Sequence, residues 1–560
     1  MRLNGAEIIV KLLERQGIAT IAGIPGGANL PLYNALYKSP IRHILARHEQ
    51  GAGFIAHGMA RSTGRPAVCF ATSGPGATNL ITAIADARLD SVPLIAITGQ
   101  VPTSMLGTDA FQEVDIYNMT IPITKHNFLV RSAAELLSVI PEAFEIALSG
   151  RPGPVLIDVP KDVQTQEIDV YGWPEIGERL PSPPIDTDAI ARAAAMINEA
   201  KRPVLYAGGG VMNSASHAVL REIADKNSIP VALTLMGLGC FPPDNPLYLG
   251  MLGMHASPYT NLLLDEADLL IAVGARFDDR AVGRVQEFCP EAAIVHIDID
   301  RAELDKIRKA HISMACDAGE ALSALLPLVR IDERREWRSR LALLREEHPF
   351  PAPRDGSQHP LSIIAGIAAA APEDAIITTD VGQHQMWVAQ GYPFTRPRTL
   401  LTSGGLGTMG FGLPAAIGAA LANPGRRVVC VSGDGSIQMN IQELATLADL
   451  GLPVTVIVLN NGQLGLVRQQ QELFYGGNYI ASRFETRLDF AAIAREFGIS
   501  GKSIRTGEPM AAGLARAFAD GGPCVVDIGV ETEPNVYPIV PPGAANRDMI
   551  GGETYGKRCN

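Results

Sequence analysis

The residues best suited to chemistry are an aspartate in the segment GDGS at 433–436 and an asparagine in the pair NN at 460–461. The apolar runs VVCVS and PVTVIVL end just before these two segments, and the stretch between them has helical periodicity. The strands of such a strand–helix–strand unit run parallel, so Asp434 and Asn461 should emerge together at the carboxyl edge of a sheet, where α/β folds bind ligands. A carboxylate and an amide oxygen suit Mg²⁺ that is completed by a diphosphate, a backbone carbonyl and water.

The spacing of these two residues is what indicates a ligand site, because GDG alone is a common turn. Asn461 follows Asp434 by 27 residues across the strand–helix–strand unit. This pattern resembles the signature of thiamine diphosphate (ThDP) enzymes, in which the aspartate, the asparagine and the backbone carbonyl of Gln463 would hold the metal. The glycines at 433 and 435 would let the diphosphate approach the backbone, and the following helix would direct N–H groups at it.

Glu49 is the candidate for a second role. It lies in RHEQGAGFIAHGMAR at 47–61, between a short apolar run and a helix of small residues. A solvated or helix-capping glutamate is the ordinary alternative at such a junction. In a ThDP enzyme, however, one carboxyl group must hydrogen-bond N1′ of the aminopyrimidine, so that the 4′-nitrogen can take the proton from C2 of the thiazolium ring.

Two glycine-containing segments carry further candidate contacts. SGGLGTMGFG at 403–412 contains a formal GxGxxG, which alone is weak evidence for a dinucleotide site. Because it leads into a helix and then the GDG strand, we interpret it as the loop around the thiazolium ring, with Met409 as the apolar wedge that bends the cofactor. A gap-filling core methionine is the alternative. The segment DVGQHQ would supply diphosphate contacts from three consecutive residues, Gly382, Gln383 and His384. A structural role explains the histidine equally well.

The composition indicates a globular protein and excludes several function classes. The chain has 560 residues, of which 47% are hydrophobic and 19% charged, and this length predicts several packed domains. A net charge of −12 offers no basic surface for nucleic acid. There is no membrane-spanning apolar run and no signal or transit peptide, and the seven scattered cysteines fit reduced thiols. We therefore expect a cytoplasmic protein that binds neither membrane nor nucleic acid.

The elements that must position these residues follow from the hydrophobic pattern. Short apolar runs alternate with helical stretches along the chain, which predicts α/β domains with doubly wound parallel sheets. Two polar, proline-rich stretches indicate linkers. We therefore divide the chain into domains 1–170, 189–330 and 361–545, linkers 171–188 and 331–360, and a C-terminal tail 546–560.

Over nearly its whole length, the sequence resembles the catalytic subunit of acetohydroxyacid synthase, also called acetolactate synthase. The resemblance rests on the Glu49 segment, TSGPGATN at 72–79, GTDAFQEVD at 107–115, GARFDDR at 274–280 and DVGQHQMW at 380–387. GTDAFQEVD and GARFDDR are specific to this family within the ThDP enzymes. The resemblance implies three domains of the pyruvate oxidase/decarboxylase type, which bind the pyrimidine, FAD and the diphosphate with Mg²⁺, and an active site between two subunits.

The resemblance also implies the reaction. Pyruvate would be decarboxylated, and its two-carbon fragment would join a second pyruvate or 2-ketobutyrate to give acetolactate or acetohydroxybutyrate, the first common step of branched-chain amino acid biosynthesis. Gly27, Gln112 and Lys161 match positions that line the reaction pocket. Arg280 matches the arginine that grips the carboxylate of the second keto acid, a task suited to its planar guanidinium. A salt bridge to either aspartate of RFDDR is the alternative.

Cofactor contacts and partners are implied in the same way. The ThDP and metal site would comprise Glu49, Gly382, Gln383, His384, Gly407, Met409, Gly433, Asp434, Gly435, Ser436, Asn461, Gln463 and Gly465. The FAD site would comprise Arg151, Gly208, Gly209, Gly210, Thr234, Leu235, His255, Gly274, Arg276, Asp278, Asp298 and Asp317. The flavin would be structural, because no net oxidation occurs. A homodimer or homotetramer and a separate small regulatory subunit are expected.

Three other functions remain as alternatives. Another ThDP and FAD enzyme, such as pyruvate oxidase, is disfavoured by GARFDDR and GTDAFQEVD. A flavin-free catabolic acetolactate synthase is disfavoured by RFDDR. A non-catalytic scaffold is disfavoured because Glu49, Asp434 and Asn461 are all present.

One residue departs from the family pattern. Gln470, in LGLVRQQQELFY at 464–475, stands where many family members carry a tryptophan that packs against the extra methyl group of 2-ketobutyrate. Its absence resembles the first of the bacterial isozymes. Recognition of one methylene is worth about 1–3 kcal/mol in an apolar pocket, and a flexible polar glutamine does not supply that contact.

We predict that the enzyme shows little preference between pyruvate and 2-ketobutyrate when the two compete. Gln470→Trp should shift the product ratio toward acetohydroxybutyrate, by roughly tenfold if about 1.4 kcal/mol is recovered. Mass spectrometry of the products from mixed keto acids measures this ratio. A wild-type enzyme that already selects 2-ketobutyrate strongly would show that another residue recognises it.

Overall fold

The computed structural model describes residues 1–350, 358–505, 508–519, 521–530 and 534–551, which form three six-stranded parallel sheets flanked by helices. The prediction of three doubly wound α/β domains is thereby confirmed. Parts of the predicted linker 331–360 and of the predicted tail 546–560 lie outside the described residues. None of the described helices is long and apolar enough to cross a lipid bilayer.

The N-terminal sheet has the strand order β3-β2-β4-β5-β7-β6. Its strands are β2 (Thr20–Gly23), β3 (Arg42–Leu45), β4 (Ala67–Ala71), β5 (Leu94–Gln100), β6 (His126–Leu129) and β7 (Val155–Pro160), while β1 (Arg2–Asn4) and β8 (Glu167–Asp169) pair separately. The helices are α1 (Gly5–Arg15), α2 (Leu30–Leu36), α3 (Glu49–Thr63), α4 (Pro75–Asn79), α5 (Ile81–Leu89), α6 (Ile116–Thr120), α7 (Leu136–Leu148) and α8 (Lys161–Thr165).

The central sheet has the order β11-β10-β9-β12-β13-β14. Its strands are β9 (Pro203–Ala207), β10 (Val231–Leu233), β11 (Tyr248–Met251), β12 (Leu269–Val273), β13 (Ala293–Asp298) and β14 (Ile312–Ala315). Its helices are α9 (Thr187–Glu199), α10 (Gly209–Asn213), α11 (His217–Asn227), α12 (Pro258–Asp265), α13 (Asp279–Val282), α14 (Ala318–Leu325) and α15 (Arg335–Glu347). Helix α15 lies within the predicted linker and buries Trp337 in this domain's core.

The C-terminal sheet has the order β16-β15-β17-β18-β20-β19. Its strands are β15 (Ile376–Thr379), β16 (Leu400–Leu401), β17 (Val428–Gly433), β18 (Val454–Asn460), β19 (Ser500–Ile504) and β20 (Cys524–Gly529). Its helices are α16 (Pro360–Ala370), α17 (Gln383–Gly391), α18 (Gly412–Ala422), α19 (Asp434–Ile437), α20 (Glu443–Leu450), α21 (Gly465–Phe474), α22 (Phe490–Glu496) and α23 (Met510–Ala519).

Strand order separates the three domains into two kinds. When strands are numbered within each domain, the N- and C-terminal sheets share the order 2-1-3-4-6-5, whereas the central sheet has 3-2-1-4-5-6. The latter is the order of dinucleotide-binding domains, whose ligands lie outside the carboxyl ends of the strands where the order reverses. In the central domain this switch point lies between β9 and β12.

The N- and C-terminal domains are joined by two helices that touch at glycines. A Cβ on Gly418 of α18 would lie 1.9 Å from the carbonyl oxygen of Ile55 on α3, and one on Gly58 would lie 2.1 Å from that of Ala415. Helix α3 is buried along almost its whole length, and its residues share one apolar core with those of α18. The two backbones therefore approach as closely as only glycine permits.

We predict that Gly418→Ala destabilises the protein. Alanine gains about 1 kcal/mol of helix propensity, but its methyl group meets a backbone carbonyl that cannot rotate away, and overpacking of this kind costs typically about 1–3 kcal/mol or more. Urea unfolding should therefore shift to lower concentration. The matched control is Gly172→Ala, because a Cβ there has no neighbour within 4 Å. Equal stability of both variants would contradict the contact.

Candidate active site

The predicted metal ligands lie side by side at the carboxyl edge of the C-terminal sheet. Strands β17 and β18 pair in parallel with Gly433 opposite Leu459, so Asp434 and Asn461 emerge from adjacent strand ends. A cleft of about 730 Å³, here called the cofactor cleft, opens at this edge. Twelve of the predicted ThDP residues line it: Gly382, Gln383, His384, Gly407, Met409, Gly433, Asp434, Gly435, Ser436, Asn461, Gln463 and Gly465.

The carboxylate of Asp434 is held in place by backbone groups of the neighbouring turn. Its Oδ2 accepts a hydrogen bond of 2.8 Å from the N–H of Gly462, and Asn461 Oδ1 accepts one of 3.2 Å from the N–H of Gln463. Burial raises the pKa of Asp434 to about 6. A cation beside the carboxylate would favour its charged form and offset this cost of desolvation.

Two buried polar atoms in the cleft have no hydrogen-bond partner among the described residues. They are Gln383 Oε1 and His384 Nε2. Burial lowers the pKa of His384 to about 3, so its ring is neutral. Unsatisfied buried polar atoms are rare in native structures, and their presence in the wall of a cleft fits a polar ligand.

The cleft is also shaped by glycines that lie against these polar groups. A Cβ on Gly465 would lie 2.0 Å from Gln383 Oε1, and one on Gly433 would lie 2.8 Å from His384 Nδ1. Larger residues would therefore fill the space beside Asp434. This glycine-lined floor, together with the carboxylate and amide oxygens, fits a diphosphate and its metal ion.

The 403–410 loop forms another wall of the cleft. Gly407, with φ +71°, and Met409 line the cleft, as predicted. The loop is fixed from behind because the N–H of Gly410 donates to Asp380 Oδ1 over 2.7 Å. Asp380 is fully buried, and burial raises its pKa to about 6.

Glu49 and the predicted reaction-pocket residues lie at the carboxyl edge of the N-terminal sheet. Gly27 follows β2, Glu49 follows β3, Gln112 follows β5 and Lys161 directly follows β7. Glu49 begins α3, as the sequence predicts, and its Oε2 accepts a hydrogen bond of 2.9 Å from Asn79 Nδ2. Gln112 has φ +61° and packs its Cα beside Gly74, while Gly27 and Lys161 are exposed.

The predicted site residues therefore fall into two groups, which belong to different domains of the chain. Among the described residues that line the cofactor cleft, none belongs to the N-terminal domain. The N-terminal edge also carries exposed apolar side chains beside the predicted residues, including Leu30, Met105 and Phe111, the last of which is 87% exposed. Exposed apolar groups of this kind mark surfaces that another molecule covers.

A second cleft, of about 910 Å³, lies at the switch point of the central sheet and is here called the flavin cavity. Nine of the predicted FAD residues line it: Arg151, Gly209, Gly210, Thr234, Gly274, Arg276, Asp278, Asp298 and Asp317. A Cβ on Gly210 would lie 2.5 Å from Gly274 Cα, so the two loops meet backbone to backbone. Thr234 Oγ1 is buried without a partner among the described residues, which fits a polar ligand.

The three other predicted FAD residues do not line this cavity. Gly208 packs against Gly274, where a Cβ would lie 2.3 Å from the carbonyl oxygen, and Leu235 is half-buried just beyond Thr234. His255 is buried, its Nδ1 lies 2.9 Å from the carbonyl oxygen of Pro538, and burial lowers its pKa to about 4. In this structure His255 holds the segment that follows β20.

Arg280 and Gln470 are both exposed and line neither cleft. Arg280 Nε lies 3.7 Å from Asp279 Oδ2, and its side chain is 65% exposed. The alternative of a salt bridge is therefore present, although an exposed pair of this kind stabilises the fold by no more than about 1 kcal/mol. Gln470 lies on α21 next to the buried Gln469.

Several lining residues were not identified from the sequence. Val381 and Val530 follow the ends of β15 and β20, so the strand-end rule that found Asp434 could have found them. Met236 follows the end of β10, so the same rule could have found it in the flavin cavity, whereas Asp90 belongs to the N-terminal domain and reaches the cavity only through packing between domains.

Comparison with known proteins first defines the class. Family models match all three domains: the thiamine pyrophosphate enzyme N-terminal TPP binding domain at residues 3–119, the central domain at 190–325 and the C-terminal TPP binding domain at 380–528. Thiamine pyrophosphate is another name for ThDP. The protein is therefore a ThDP-dependent enzyme, and its C-terminal match spans the cofactor cleft.

Individual relatives then define the family. The chain is 56% identical to the acetolactate synthase isozyme 1 large subunit of Escherichia coli, over 98% of both chains, and 46% identical to the isozyme 2 large subunit, over 98% of this chain and 99% of the relative. It is 47% identical to acetolactate synthase 1, chloroplastic, of Oryza sativa, over 98% of this chain and 88% of the relative. The chain belongs to the acetolactate synthase large-subunit family. The predicted function is confirmed over the pyruvate oxidase alternative.

We predict that Asp434→Asn weakens the binding of ThDP with Mg²⁺ by more than about a hundredfold. Loss of a residue that only supports a metal ligand costs 10–100-fold, and Asp434 would be the ligand itself and its only carboxylate. Calorimetric titration of the purified chain measures the affinity. The control is Asp449→Asn, because Asp449 is an exposed carboxylate of the same domain that pairs with Arg47. Equal affinities for both variants would contradict the metal site.

Proposed function

We propose that the cofactor cleft holds the diphosphate and Mg²⁺ of ThDP, and that Glu49 of a second copy of this chain completes the site. The observation that carries the proposal is the convergence of Asp434, Asn461, Gln383 and His384 on a glycine-lined cleft that no described N-terminal residue lines. Asp434, Asn461 and the carbonyl of Gln463 would bind the metal, and the glycines beside them would admit the diphosphate.

The division of the site between two surfaces leads us to propose a homodimer as the smallest active unit. Glu49 lies at the N-terminal edge with Gly27, Gln112 and Lys161, and this edge exposes apolar side chains such as Phe111. Two copies related by a two-fold axis would bring each N-terminal edge against the partner's cofactor cleft and bury these groups. The same four residues would then line the space above the cofactor.

The residues of this chain have separable tasks in the proposed reaction. The chemistry that ThDP would supply when bound is a nucleophilic carbon for the decarboxylation of pyruvate. Glu49 would exchange a proton with N1′ of the aminopyrimidine, and Met409 would press against the cofactor from the 403–410 loop. Arg280 would bind the carboxylate of the second keto acid, pyruvate or 2-ketobutyrate, with its planar guanidinium. The apolar rim at Val467 and Leu466 would exclude water.

We propose FAD as the ligand of the flavin cavity. The cavity lies at the switch point of a sheet with the dinucleotide-binding strand order, and two glycine loops meet there. Thr234 offers a buried hydroxyl that has no partner in the part of the chain that the structure describes. The resemblance of the sequence to the acetohydroxyacid synthase catalytic subunit also implies Mg²⁺ and FAD. A separate small subunit is a further proposed partner, since the relatives are large subunits.

We predict that Glu49→Gln slows proton exchange at C2 of bound ThDP by about 10²–10⁴-fold, the usual contribution of a general acid–base group. Glutamine keeps the shape of the side chain and its contact with Asn79, but it cannot exchange a proton with N1′. NMR of hydrogen–deuterium exchange at C2 measures the rate, and acetolactate formation should fall with it.

The control for this prediction is Glu142→Gln, an exposed carboxylate on α7 of the same domain. Both variants should bind ThDP with affinities within a few-fold of wild type. Exchange at the wild-type rate in Glu49→Gln would exclude Glu49 from this role and would leave the metal site untouched.

A further inference from the structure

The flavin cavity and the 403–410 loop share a wall that is one side chain thick. Leu89, Asp90 and Met236 line the cavity on one side. On the other side they touch the start of the loop: a Cβ on Gly404 would lie 2.4 Å from Met236 Sδ, and one on Gly405 would lie 2.7 Å from Leu89 Cβ. A group that fills the cavity therefore presses on the residues that support the loop.

Asp90 binds this loop directly. Its Oδ2 accepts from the N–H of Gly404 over 3.0 Å, and its Oδ1 accepts from the N–H of Gly405 over 2.7 Å. Arg61 Nη1 lies 3.0 Å from Asp90 Oδ2, and only 1% of the aspartate side chain is exposed. Hydrogen bonds to a buried carboxylate are among the stronger ones in proteins, so the position of Asp90 fixes the start of the loop.

The same loop ends in the cofactor cleft. Gly407 and Met409 line the cleft. Between the two ends, Thr408 Oγ1 donates to Asp86 Oδ2 over 2.8 Å, and its N–H donates to Ser403 Oγ over 2.8 Å. Hydrogen bonds therefore anchor the loop at its start and again at Thr408, next to the cleft-lining Met409.

Three titratable side chains behind the loop also support it. His57, Asp86 and Asp90 offer ligand atoms within 4.8 Å of one another. Asp86 Oδ2 accepts from Ser403 and Thr408, and its Oδ1 lies 3.2 Å from His57 Nε2, while Asp90 accepts from two backbone amides and Arg61. The cluster thus anchors the loop of the C-terminal domain to helices α3 and α5.

We propose that Asp90 and Met236 are positioning residues that couple the two cofactor sites of one chain. A flavin in its cavity holds the Leu89–Asp90–Met236 wall in place, the wall holds the 403–410 loop, and the loop holds Met409 in position for ThDP. The proposal rests on FAD as the ligand of the flavin cavity. It accounts for a flavin in an enzyme whose reaction involves no net oxidation.

The coupling has a measurable size and must be reciprocal. FAD should raise the affinity for ThDP by a factor of roughly 5–150, the usual range for coupled sites, and ThDP must raise the affinity for FAD by the same factor. The full-length chain is purified, stripped of FAD and reloaded. Calorimetry measures the affinity for ThDP and Mg²⁺ with and without FAD, and flavin fluorescence measures the affinity for FAD with and without ThDP.

Two variants test the wall by different means. Asp90→Asn removes the charge and one acceptor oxygen, and Met236→Ala removes the packing against Gly404. The coupling factor is the factor by which FAD raises the affinity for ThDP. In both variants it should fall at least fivefold, toward one. The matched control is Glu303→Gln, because Glu303 lines the same cavity but pairs with Arg151 over 2.9 Å and does not touch the loop. This control should change the affinity for FAD and leave the coupling factor at the wild-type value.

The possible outcomes separate this proposal from the flavin assignment. If the wild-type chain binds FAD and ThDP independently, the coupling is overturned and the flavin site is left intact. The same conclusion follows if Asp90→Asn and Met236→Ala both keep the wild-type coupling factor. A chain that binds no FAD overturns both proposals. If Asp90→Asn does not fold, Met236→Ala decides, because truncation of a half-buried methionine removes neither side chain of the Asp90–Arg61 ion pair.

Discussion

The parallel pairing of β17 with β18 is the constraint on which the site depends. The pairing sets Gly433 opposite Leu459, so that Asp434, one residue beyond Gly433, and Asn461, two residues beyond Leu459, enter one cleft from adjacent strand ends. Both strands are fully buried, and hydrophobic contacts on both faces fix their register. A slip of one residue would turn the apolar side chains of β17 to the wrong face and separate Asp434 from Asn461. Packing of the hydrophobic core therefore holds Asp434 and Asn461 in place, and these two side chains need not contribute to the stability of the fold.

The N- and C-terminal domains place their predicted functional residues in the same way. Their sheets share a strand order, and in both the predicted functional residues follow strand ends. The sequence shows no repeat, because topology depends on the order and burial of apolar runs and not on which apolar residues fill them. The central domain differs because its strand order creates a switch point between neighbouring loops, and a cavity opens there.

The local parts of this architecture could be predicted from the sequence, and the long-range parts could not. Asp434, Asn461 and Glu49 could be predicted because each lies within three residues of the end of an apolar run, and the glycines of the cofactor cleft because they accompany those residues. Asp90 offered no such signal, since its partners Gly404 and Gly405 lie more than 300 residues away. The same limit applies to His255, whose contact with Pro538 depends on the path of the segment after β20. Contacts between residues of different domains depend on how the domains pack. The pattern of residue types along the sequence does not reveal that packing.

The glycine contact between α3 and α18 has a mechanical consequence. Glu49 is the first residue of α3, and the 403–410 loop runs directly into α18 through Phe411, whose ring packs edge-on to Phe54 at 5.3 Å. With the helix backbones in contact, neither helix slides without the other. In the proposed dimer, Glu49 would serve one site and Met409 the other, so the paired helices α3 and α18 would connect the two sites. A movement of α3 at one site would then move α18 at the other, so the two sites of the dimer would open and close together.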